Sequence, residues 1–382
     1  MLKRILALVL AMLTALTLFA CSDPAGNEQT ADPGQAITIS KSTGGNPIGG
    51  FDADGNLVYG GDPSVMIDGD TLYLYVGHDT APNESYVIPE YLCYSTKDMV
   101  TWTYEGVVLS MSNVSWADRN SAWAGQVAKY HDKYYFYYCS WDKTDGGKQS
   151  IGVAVADDPK GPFVDIGQSL VKGSFTANQT SNWNDIDPTV WIETDEQGVE
   201  HRYLSWGNGK LYVCELNEDM ISVKDYNGDG KITFGADVKE KGAPQFFTEA
   251  PWIYRRQDEY GKYYGPYYLF YAYGWREQMA YATTDHLMDG TYTFQDIIME
   301  PSATSNTNHM AVFDFLGKTW FIYHNGSLPK GSGFRRVACI QELKFEEDGS
   351  VPYLEETATG AFGTISKLTT LKGDVLAHEH YN

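Results

Sequence analysis

The sequence predicts an all-β protein that folds as a five-bladed β-propeller, and three observations carry this prediction. The motif Asp-Pro-Ser/Thr-Val occurs at Asp62 and again at Asp187, each time followed by an apolar run and a turn. Runs rich in tyrosine and tryptophan, such as YYFYYCSW from Tyr134, alternate with turns rich in glycine, aspartate and asparagine. No stretch shows helical periodicity. Short aromatic and β-branched runs between such turns are typical of strands, and a recurring unit indicates a repeat architecture.

The repeat extends to five units. Five anchor residues, about sixty positions apart, each stand directly before a strand-like run: Asp62, Trp123, Asp187, Glu249 and His309. An aromatic strand follows each anchor, and a third strand then runs into an acidic turn. Repeated four-stranded units of this kind close radially into a propeller, and closure leaves no long exposed edge strand.

Propeller geometry gives the anchors a shared position. The first strand of every blade lines the central axis, so residues one repeat apart meet around one cavity. We therefore expect Asp62, Asp187 and Glu249 to converge. Like charges at close range raise one another's pKa, and such an arrangement is typical of catalytic sites. Taken singly, each acid could instead be a strand-start or turn residue, whereas all three at anchor positions favour chemistry.

We assign the propeller to residues 46–357. The sequence that precedes it suggests export. Residues 1–21 combine a basic start, a short apolar core and a Leu-Phe-Ala-Cys ending, which is typical of a bacterial lipoprotein signal with Cys21 as the lipidated residue. An ordinary signal peptide that carries a cysteine is the alternative. Residues 22–45 read as a flexible tether, and 358–382 as a tail that packs on the propeller. We expect an extracytoplasmic protein anchored at the membrane or cell surface.

Composition limits the partners. The formal net charge of −22 argues against binding to nucleic acid or anionic lipid, so membrane contact is expected only through the lipid anchor. Abundant tyrosine and tryptophan suit both propeller cores and sugar-binding surfaces, and composition alone does not separate these. The four cysteines beyond Cys21 lie in different units and lack zinc-type spacing, so we expect buried free thiols, with a disulfide left open: Cys93, Cys139, Cys214 and Cys339.

Metal binding has weak support in the sequence. The segment DYNGDGKI from Asp225 matches the first eight positions of a calcium loop, but Ala236 stands where a bidentate glutamate is needed. We interpret it as a hairpin turn. Four histidines, His78, His131, His286 and His324, have no metal-type spacing and are expected on the surface or in the core.

The three acids stand in characteristic motifs: Asp62 in GGDPSV, Asp187 in DIDPTVW and Glu249 in TEAPWIY. With these motifs the chain resembles, from about Asn46 to Thr357, glycoside hydrolase family 43, the five-bladed propeller enzymes that remove arabinofuranose or xylose from plant cell-wall polysaccharides. This resemblance implies that Asp62 is the general base and Glu249 the general acid. Asp187 would orient the acid and tune its pKa.

The same resemblance implies further site residues. Trp123, His309 and Arg336 match positions that stack on the sugar or hydrogen-bond to it. No cofactor is required, although His309 could contact a calcium ion through a bound water molecule. Ala250 departs from the glycine that usually follows the acid, and no carbohydrate-binding module follows Thr357.

Two opposed carboxyls can hydrolyse a glycosidic bond in one inverting step, for which a separation of roughly 6.5–9.5 Å leaves room for a water. An ionised Asp187 beside Glu249 is expected to raise the pKa of the donor. The expected partner is a pentose-containing polysaccharide or oligosaccharide. Two alternatives stay open, a non-catalytic propeller that only binds oligosaccharide and an endo-arabinanase.

Overall fold

The protein consists of five antiparallel β-sheets arranged as the blades of a propeller. The computed structural model describes residues 37–41, 45–52, 54–362, 367–369 and 375–377. The predicted signal peptide and Cys21 lie outside the described residues. Within the described ranges the helical segments are two short 3-10 turns, and none is long and apolar enough to cross a membrane. The predicted all-β five-bladed propeller is confirmed.

Blades 1 and 2 come first in the chain, and strands are numbered in chain order. The sheet of blade 1 contains β1 (Ile37–Lys41), β2 (Tyr59–Asp68), β3 (Thr71–Asp79), β4 (Glu90–Thr96) and β5 (Thr101–Ser110). A 3-10 turn at Met111–Asn113 follows. Blade 2 contains β6 (Gly125–Tyr130), β7 (Lys133–Asp142), β8 (Lys148–Ala156) and β9 (Val164–Asp165).

Blades 3 and 4 repeat the predicted four-stranded unit, whereas blade 5 has three strands among the described residues. Blade 3 contains β10 (Thr189–Thr194), β11 (Glu200–Trp206), β12 (Leu211–Glu215) and β13 (Val238–Lys241). Blade 4 contains β14 (Phe247–Gln257), β15 (Tyr263–Tyr273), β16 (Gln278–Thr284) and β17 (Thr293–Met299). Blade 5 contains β18 (Ala311–Phe315), β19 (Lys318–Asn325) and β20 (Val337–Glu342), and a 3-10 turn at Gly360–Phe362 follows it.

The inner strands form a closed ring around the axis, since β2, β6, β10, β14 and β18 each contact the next, and β18 returns to β2. The predicted aromatic runs are the second strands of the blades. They are buried because their side chains pack between neighbouring blades. Phe136 of β7, for example, meets Tyr75 and Tyr91 of blade 1 at ring-centroid distances of 5.6 and 4.6 Å. Such offset aromatic contacts add to the stabilisation from burial.

The start of the domain closes the ring on blade 5. Ile48 pairs with Ala338 of β20, and the fully buried Asn46 side chain bonds both the N–H and the C=O of Ile340, at 2.8 and 2.9 Å. A third bond from Asn46 reaches the carbonyl of Thr357 at 2.7 Å. Because Asn46, at the start of the domain, satisfies backbone groups of blade 5 and of the segment that follows it, it ties the start of the domain to its end.

Blade 1 is wider than predicted. The last two strands of the chain, β21 (Lys367–Thr369) and β22 (Val375–Ala377), join its sheet through β1, which pairs with both β5 and β21. The tether predicted over residues 22–45 therefore contains a strand. Its sequence, ITISK, begins with alternating apolar and polar residues, a pattern typical of a strand.

Two smaller predictions have clear outcomes. The four described cysteines are buried, and no disulfide joins any of them. The segment from Asp225 is not a tight hairpin, because it lies inside the long connection between β12 and β13. There the Asp225 carboxylate accepts the backbone N–H groups of Gly228 and Gly230, at 2.8 and 2.7 Å, and so shapes a local turn.

Candidate active site

One cavity of about 540 Å³ opens at the axis, at the end where the inner strands begin. Asp62, Asp187 and Glu249 all line it, together with Trp123 and Arg336. The structure therefore brings together five of the six propeller residues that the sequence singled out. A second cavity, of about 310 Å³, lies where the same strands end, and its lining is mainly apolar. The chemistry belongs to the first cavity.

Asp62 sits at a kink in β2. Its backbone has φ of 53°, and the pairing with β3 shifts register between Gly61 and Ser64. The backbone N–H of Asp62 donates to Nδ1 of His324 at 3.1 Å, and Nη1 of Arg336 donates to its Oδ1 at 2.6 Å. Burial raises the pKa of Asp62, but the charge of Arg336 and its hydrogen bond to the carboxylate outweigh that effect. The net pKa lies below the ordinary aspartate value, so Asp62 is ionised and ready to accept a proton.

Arg336 owes its position to Asp79, which the sequence reasoning missed. Nε and Nη2 of Arg336 donate to the two carboxylate oxygens of Asp79, each at 2.9 Å, and the Arg336 backbone N–H bonds the same carboxylate at 2.9 Å. Both side chains are almost fully buried, and the guanidinium also lies over the ring of Tyr86. A bidentate pair of this kind fixes the guanidinium plane. Asp79 ends the aromatic run LYLYVGHD, and an acid at the end of an otherwise aromatic and apolar strand is the sequence signal that could have identified it.

Glu249 lies on β14 between two register shifts in its pairing with β15. Nδ2 of Asn208 donates to its Oε2 at 2.7 Å. Burial raises the pKa of Glu249 to about 7; the hydrogen bond from Asn208 lowers it, and the charge of Asp62 raises it. A carboxyl with this pKa keeps its proton in mildly acidic solution and can donate it to a leaving group. Asn208 was not predicted, since it belongs to a different blade and no motif marks it.

Asp187 is nearly fully buried, and its Oδ2 accepts the backbone N–H of Ala250 at 2.9 Å. This bond holds the residue that follows Glu249. Ala250 has φ of 57°, in the left-handed region that favours glycine, which explains why glycine is usual at this position. Alanine accepts this conformation at a cost of about 1 kcal/mol.

Two predictions about Asp187 need correction. Because Asp187 precedes a proline, the sequence predicts extended backbone there, but φ at Asp187 is 60°, so the residue bends the chain into the cavity before β10 begins. We also expected the charge of Asp187 to raise the pKa of Glu249, whereas burial is the main cause of that rise. Burial, followed by repulsion from Glu249 and Asp62, raises the pKa of Asp187 itself well above the ordinary value. Asp187 therefore acts chiefly by positioning.

A fourth acid, Glu277, lines the same cavity and was also missed. It is 1% exposed, and its Oε2 accepts the backbone N–H of Asn308 at 2.7 Å. Burial and the charge of Glu249 raise the pKa of Glu277 well above the ordinary value. Its side chain also hydrogen-bonds to Glu249, which lowers the pKa of the latter. The sequence around it, GWREQ, offers no repeat or motif that would have pointed to it.

Aromatic rings form one wall of the cavity. Trp123 packs edge-on against Trp141, with ring centroids 5.6 Å apart, and against Tyr86 at 6.5 Å. These contacts fix the ring of Trp123 at the cavity surface, as stacking on a sugar would require.

The two axial histidines are buried. His324 has Nδ1 against the Asp62 N–H and Nε2 at 2.7 Å from the carbonyl of Thr307, an arrangement that fits a neutral ring with the proton on Nε2. Burial lowers the pKa of His324 to about 3 and that of His309 to about 4. His309 is 6% exposed and is not part of the cavity lining, so its contact with sugar stays a prediction. Among the described residues, no three His, Cys, Asp or Glu side chains lie close enough together to hold a metal ion.

A family model described as glycosyl hydrolases family 43 matches residues 58–351. The chain belongs to glycoside hydrolase family 43. The match spans β2 to β20 and therefore includes all residues of the cavity.

Relatives within family 43 are similar over most of their length. The chain is 29% identical over 337 residues to a xylosidase/arabinosidase of Bacteroides ovatus, an alignment that covers 78% of this chain and 95% of that protein. It is 28% identical over 339 residues to xylosidase/arabinosidase 43A of Humicola insolens, covering 77% and 96%. Among solved structures, a β-xylosidase/α-arabinofuranosidase from a compost metagenome, in complex with xylotriose, has a TM-score of 0.67 at 25% identity, covering 83% of this chain and 98% of that one.

Proposed function

We propose that this family 43 chain is an inverting glycoside hydrolase that releases L-arabinofuranose or D-xylose from arabinoxylan-type plant polysaccharides or oligosaccharides. The observation that carries the proposal is the contrast between two carboxyls in one cavity. Asp62 has a lowered pKa, and Glu249 has a pKa raised to about 7. At pH values above the pKa of Asp62 and below that of Glu249, Asp62 is ionised while Glu249 is protonated, which is the state that acid–base hydrolysis needs.

The reaction follows from these protonation states. Asp62 accepts a proton from a water molecule, whose oxygen attacks the anomeric carbon of the pentose. Glu249 donates its proton to the glycosidic oxygen as the bond from that oxygen to the anomeric carbon breaks. Attack opposite the leaving group inverts the configuration. Arg336 keeps Asp62 ionised, and Asp187 holds the backbone beside Glu249.

The substrate class comes from the relatives and the shape of the site. Xylosidase/arabinosidase activities stand in the names of the two relatives above, and the compost enzyme was solved with xylotriose. A cavity walled by Trp123 and Tyr86 offers ring faces to a small sugar. Which of the two pentoses is preferred is a question for nitrophenyl α-L-arabinofuranoside and nitrophenyl β-D-xyloside assayed side by side.

The roles are tested with two variants and two kinds of leaving group. Glu249→Gln should lose most activity on natural oligosaccharides but regain much of it on an aryl pentoside with a good leaving group, which needs little protonation. Asp62→Asn should stay inactive on both, because the attacking water must be deprotonated whatever leaves. Equal rescue of the two variants would contradict the assignment. The Asn56→Leu variant, altered at an exposed turn, is the matched control.

The same assays separate the other functions. A wild-type chain that binds arabinoxylan but releases no sugar from any substrate would be a binding propeller. Release of longer oligosaccharides from linear arabinan, without free pentose, would indicate an endo-arabinanase.

The proposed site of action is outside the cytoplasm, on a lipid anchor at Cys21. The support is the signal-like sequence of residues 1–21. Cys21→Ala should release the protein from the membrane fraction while activity on aryl pentosides is kept. A variant that stays in the membrane fraction would show that the anchor lies elsewhere.

A further inference from the structure

Two tryptophans at the rim of the catalytic cavity are exposed to solvent, which is unusual for so large an apolar side chain. Trp275 is 75% exposed and Trp183 is 47% exposed, and both line the cavity. They come from different parts of the propeller. Trp183 lies on the connection between blades 2 and 3, and Trp275 lies on the β15–β16 turn of blade 4. We call them the rim tryptophans. Exposed aromatic groups beside a cavity typically mark a binding surface.

The turn that carries Trp275 is held from both sides. The Gly274 N–H donates to the carbonyl of Phe246 at 2.9 Å, and Oγ1 of Thr248 donates to the carbonyl of Gly274 at 3.0 Å. On the other side of Trp275, Nη2 of Arg276 donates to the carbonyls of Ser302 and Ser305, each at 2.9 Å. The backbone at Trp275 is therefore pre-organised, which reduces the entropy cost of binding.

The loop that carries Trp183 is fixed in a similar way. The fully buried Asn184 accepts the N–H groups of Thr180 and Ser181, at 2.7 and 2.8 Å, and its Nδ2 donates to the carbonyl of Asn208 at 2.5 Å. Asn208 is the residue that bonds Glu249. The backbone next to Trp183 is thus tied to the residue that bonds the proton donor.

The exposed aromatic surface extends outward from Trp275. Phe246 is 67% exposed and packs edge-on against Tyr273, with ring centroids 5.3 Å apart. Nε2 of Gln245 donates to the Tyr273 hydroxyl at 2.8 Å. Flat rings with polar groups beside them match the faces of pyranose sugars, which present C–H groups on the ring and hydroxyls at its edge.

We propose that the rim tryptophans bind the main chain of the polysaccharide, a β-linked pyranose chain that carries the scissile pentose. This inference rests on the proposed function, because it places the pentose in the cavity and the remainder of the substrate at the rim. The occupant of the rim follows from the continuity of the rim with the catalytic cavity. The rim tryptophans line the same cavity as Glu249, so the part of the substrate beyond the leaving oxygen must pass between or beside them.

Binding is measured on an inactive parent, so that the result does not depend on turnover. The parent is Glu249→Gln, and the probe is soluble arabinoxylan in affinity gel electrophoresis. Trp275→Ala and Trp183→Ala, each made in this parent, should weaken binding about tenfold, as removal of a central aromatic contact does. Trp275→Phe, which keeps a ring, should restore part of the affinity.

The matched control is Tyr260→Ala in the same parent. Tyr260 is 85% exposed on the β14–β15 turn of the same blade, at the opposite end of the strands from Trp275. Its removal should leave retardation by arabinoxylan unchanged. The proposal would be overturned if arabinoxylan does not retard the parent, or if it retards the rim variants as strongly as the parent. If the rim variants are retarded as strongly as the parent and sedimentation shows self-association that depends on the rim tryptophans, the rim is a protein contact.

Kinetics on the active enzyme separate this proposal from the proposed function. Trp275→Ala should lower the ratio of kcat/KM on arabinoxylan to kcat/KM on an aryl pentoside about tenfold. An unchanged ratio would contradict main-chain binding. Absence of pentose release by the wild type from any substrate would instead refute the proposed function, while the gel result would still decide whether the rim binds polysaccharide.

Discussion

Replacing Asn208 with leucine should move the alkaline limb of the pH–rate profile to higher pH. That limb reports loss of the proton from Glu249, whose pKa is about 7. Nδ2 of Asn208 donates to Oε2 of Glu249 at 2.7 Å, and this bond lowers the pKa because it stabilises the ionised carboxylate. Leucine has a similar volume and no donor, so the ionised form loses the bond.

The size of the shift follows from the strength of the bond. A hydrogen bond to a charged group contributes about 1.5–3 kcal/mol, and one pKa unit corresponds to about 1.36 kcal/mol. The full effect would be roughly 1–2 units, and water that enters beside the half-buried carboxyl reduces it, so we expect about one unit. The pKa of the donor should then lie near 8 instead of about 7.

The assay is kcat/KM for an aryl pentoside with a poor leaving group between pH 4 and 10, since such a substrate depends on the proton donor. The control is Asn56→Leu, which removes an asparagine-to-carboxylate bond of 3.1 Å to Asp52 at an exposed turn. It should leave both limbs in place. An alkaline limb that stays put in Asn208→Leu, or moves to lower pH, would refute the assignment of Glu249 as the donor bonded by Asn208.

Three further predictions concern charge and metal. Arg336→Met should lower the free energy of unfolding in urea by about 3–5 kcal/mol, because it leaves the buried Asp79 carboxylate unpaired, and unchanged stability would contradict the buried pair. The same variant should move the acid limb of the pH–rate profile to higher pH, because the pKa of Asp62 rises when the charge of Arg336 is removed. The pKa of Glu249 is about 7 in the folded protein and 4.5 ordinarily, so the stability of the wild type should fall as pH rises across that interval. The melting temperature of Glu249→Gln should therefore exceed that of the wild type at pH 8 but not at pH 4.5. Treatment with EDTA should leave kcat/KM unchanged, since the assigned steps use only carboxyls; a loss restored by calcium would show that an ion is needed, with His309 as its candidate contact through water.

The architecture could be predicted because it is periodic. Anchors about sixty residues apart can only meet if the repeats close into a ring, and Asp62, Asp187 and Glu249 then share the axis. The fifth blade, the inner strands and the aromatic second strands all follow from that repeat. The wider sheet of blade 1 does not, since β1, β21 and β22 belong to no repeat unit.

The electrostatics of the site could not be predicted from spacing. Asn208 and Glu277 act on the anchor Glu249, and no motif marks them. Asp79 acts on the anchor Asp62 only indirectly, because it holds Arg336. The pKa of Glu249 depends chiefly on burial, which packing around the axis decides. Left-handed backbone at Asp62, Asp187 and Ala250 was also hidden, because residues before proline and alanine ordinarily avoid it.

The most direct test of the central claim, that Asp62 activates a water while Glu249 protonates the leaving oxygen, is the configuration of the first product. Wild-type enzyme is mixed with an aryl pentoside in an NMR tube, and the anomeric proton is followed before mutarotation sets in. The pentose should first appear with its configuration inverted, since water attacks directly from the face opposite the leaving group. A product that first appears with retained configuration would mean that a carboxylate attacks the sugar itself, and would contradict the roles assigned here to Asp62 and Glu249.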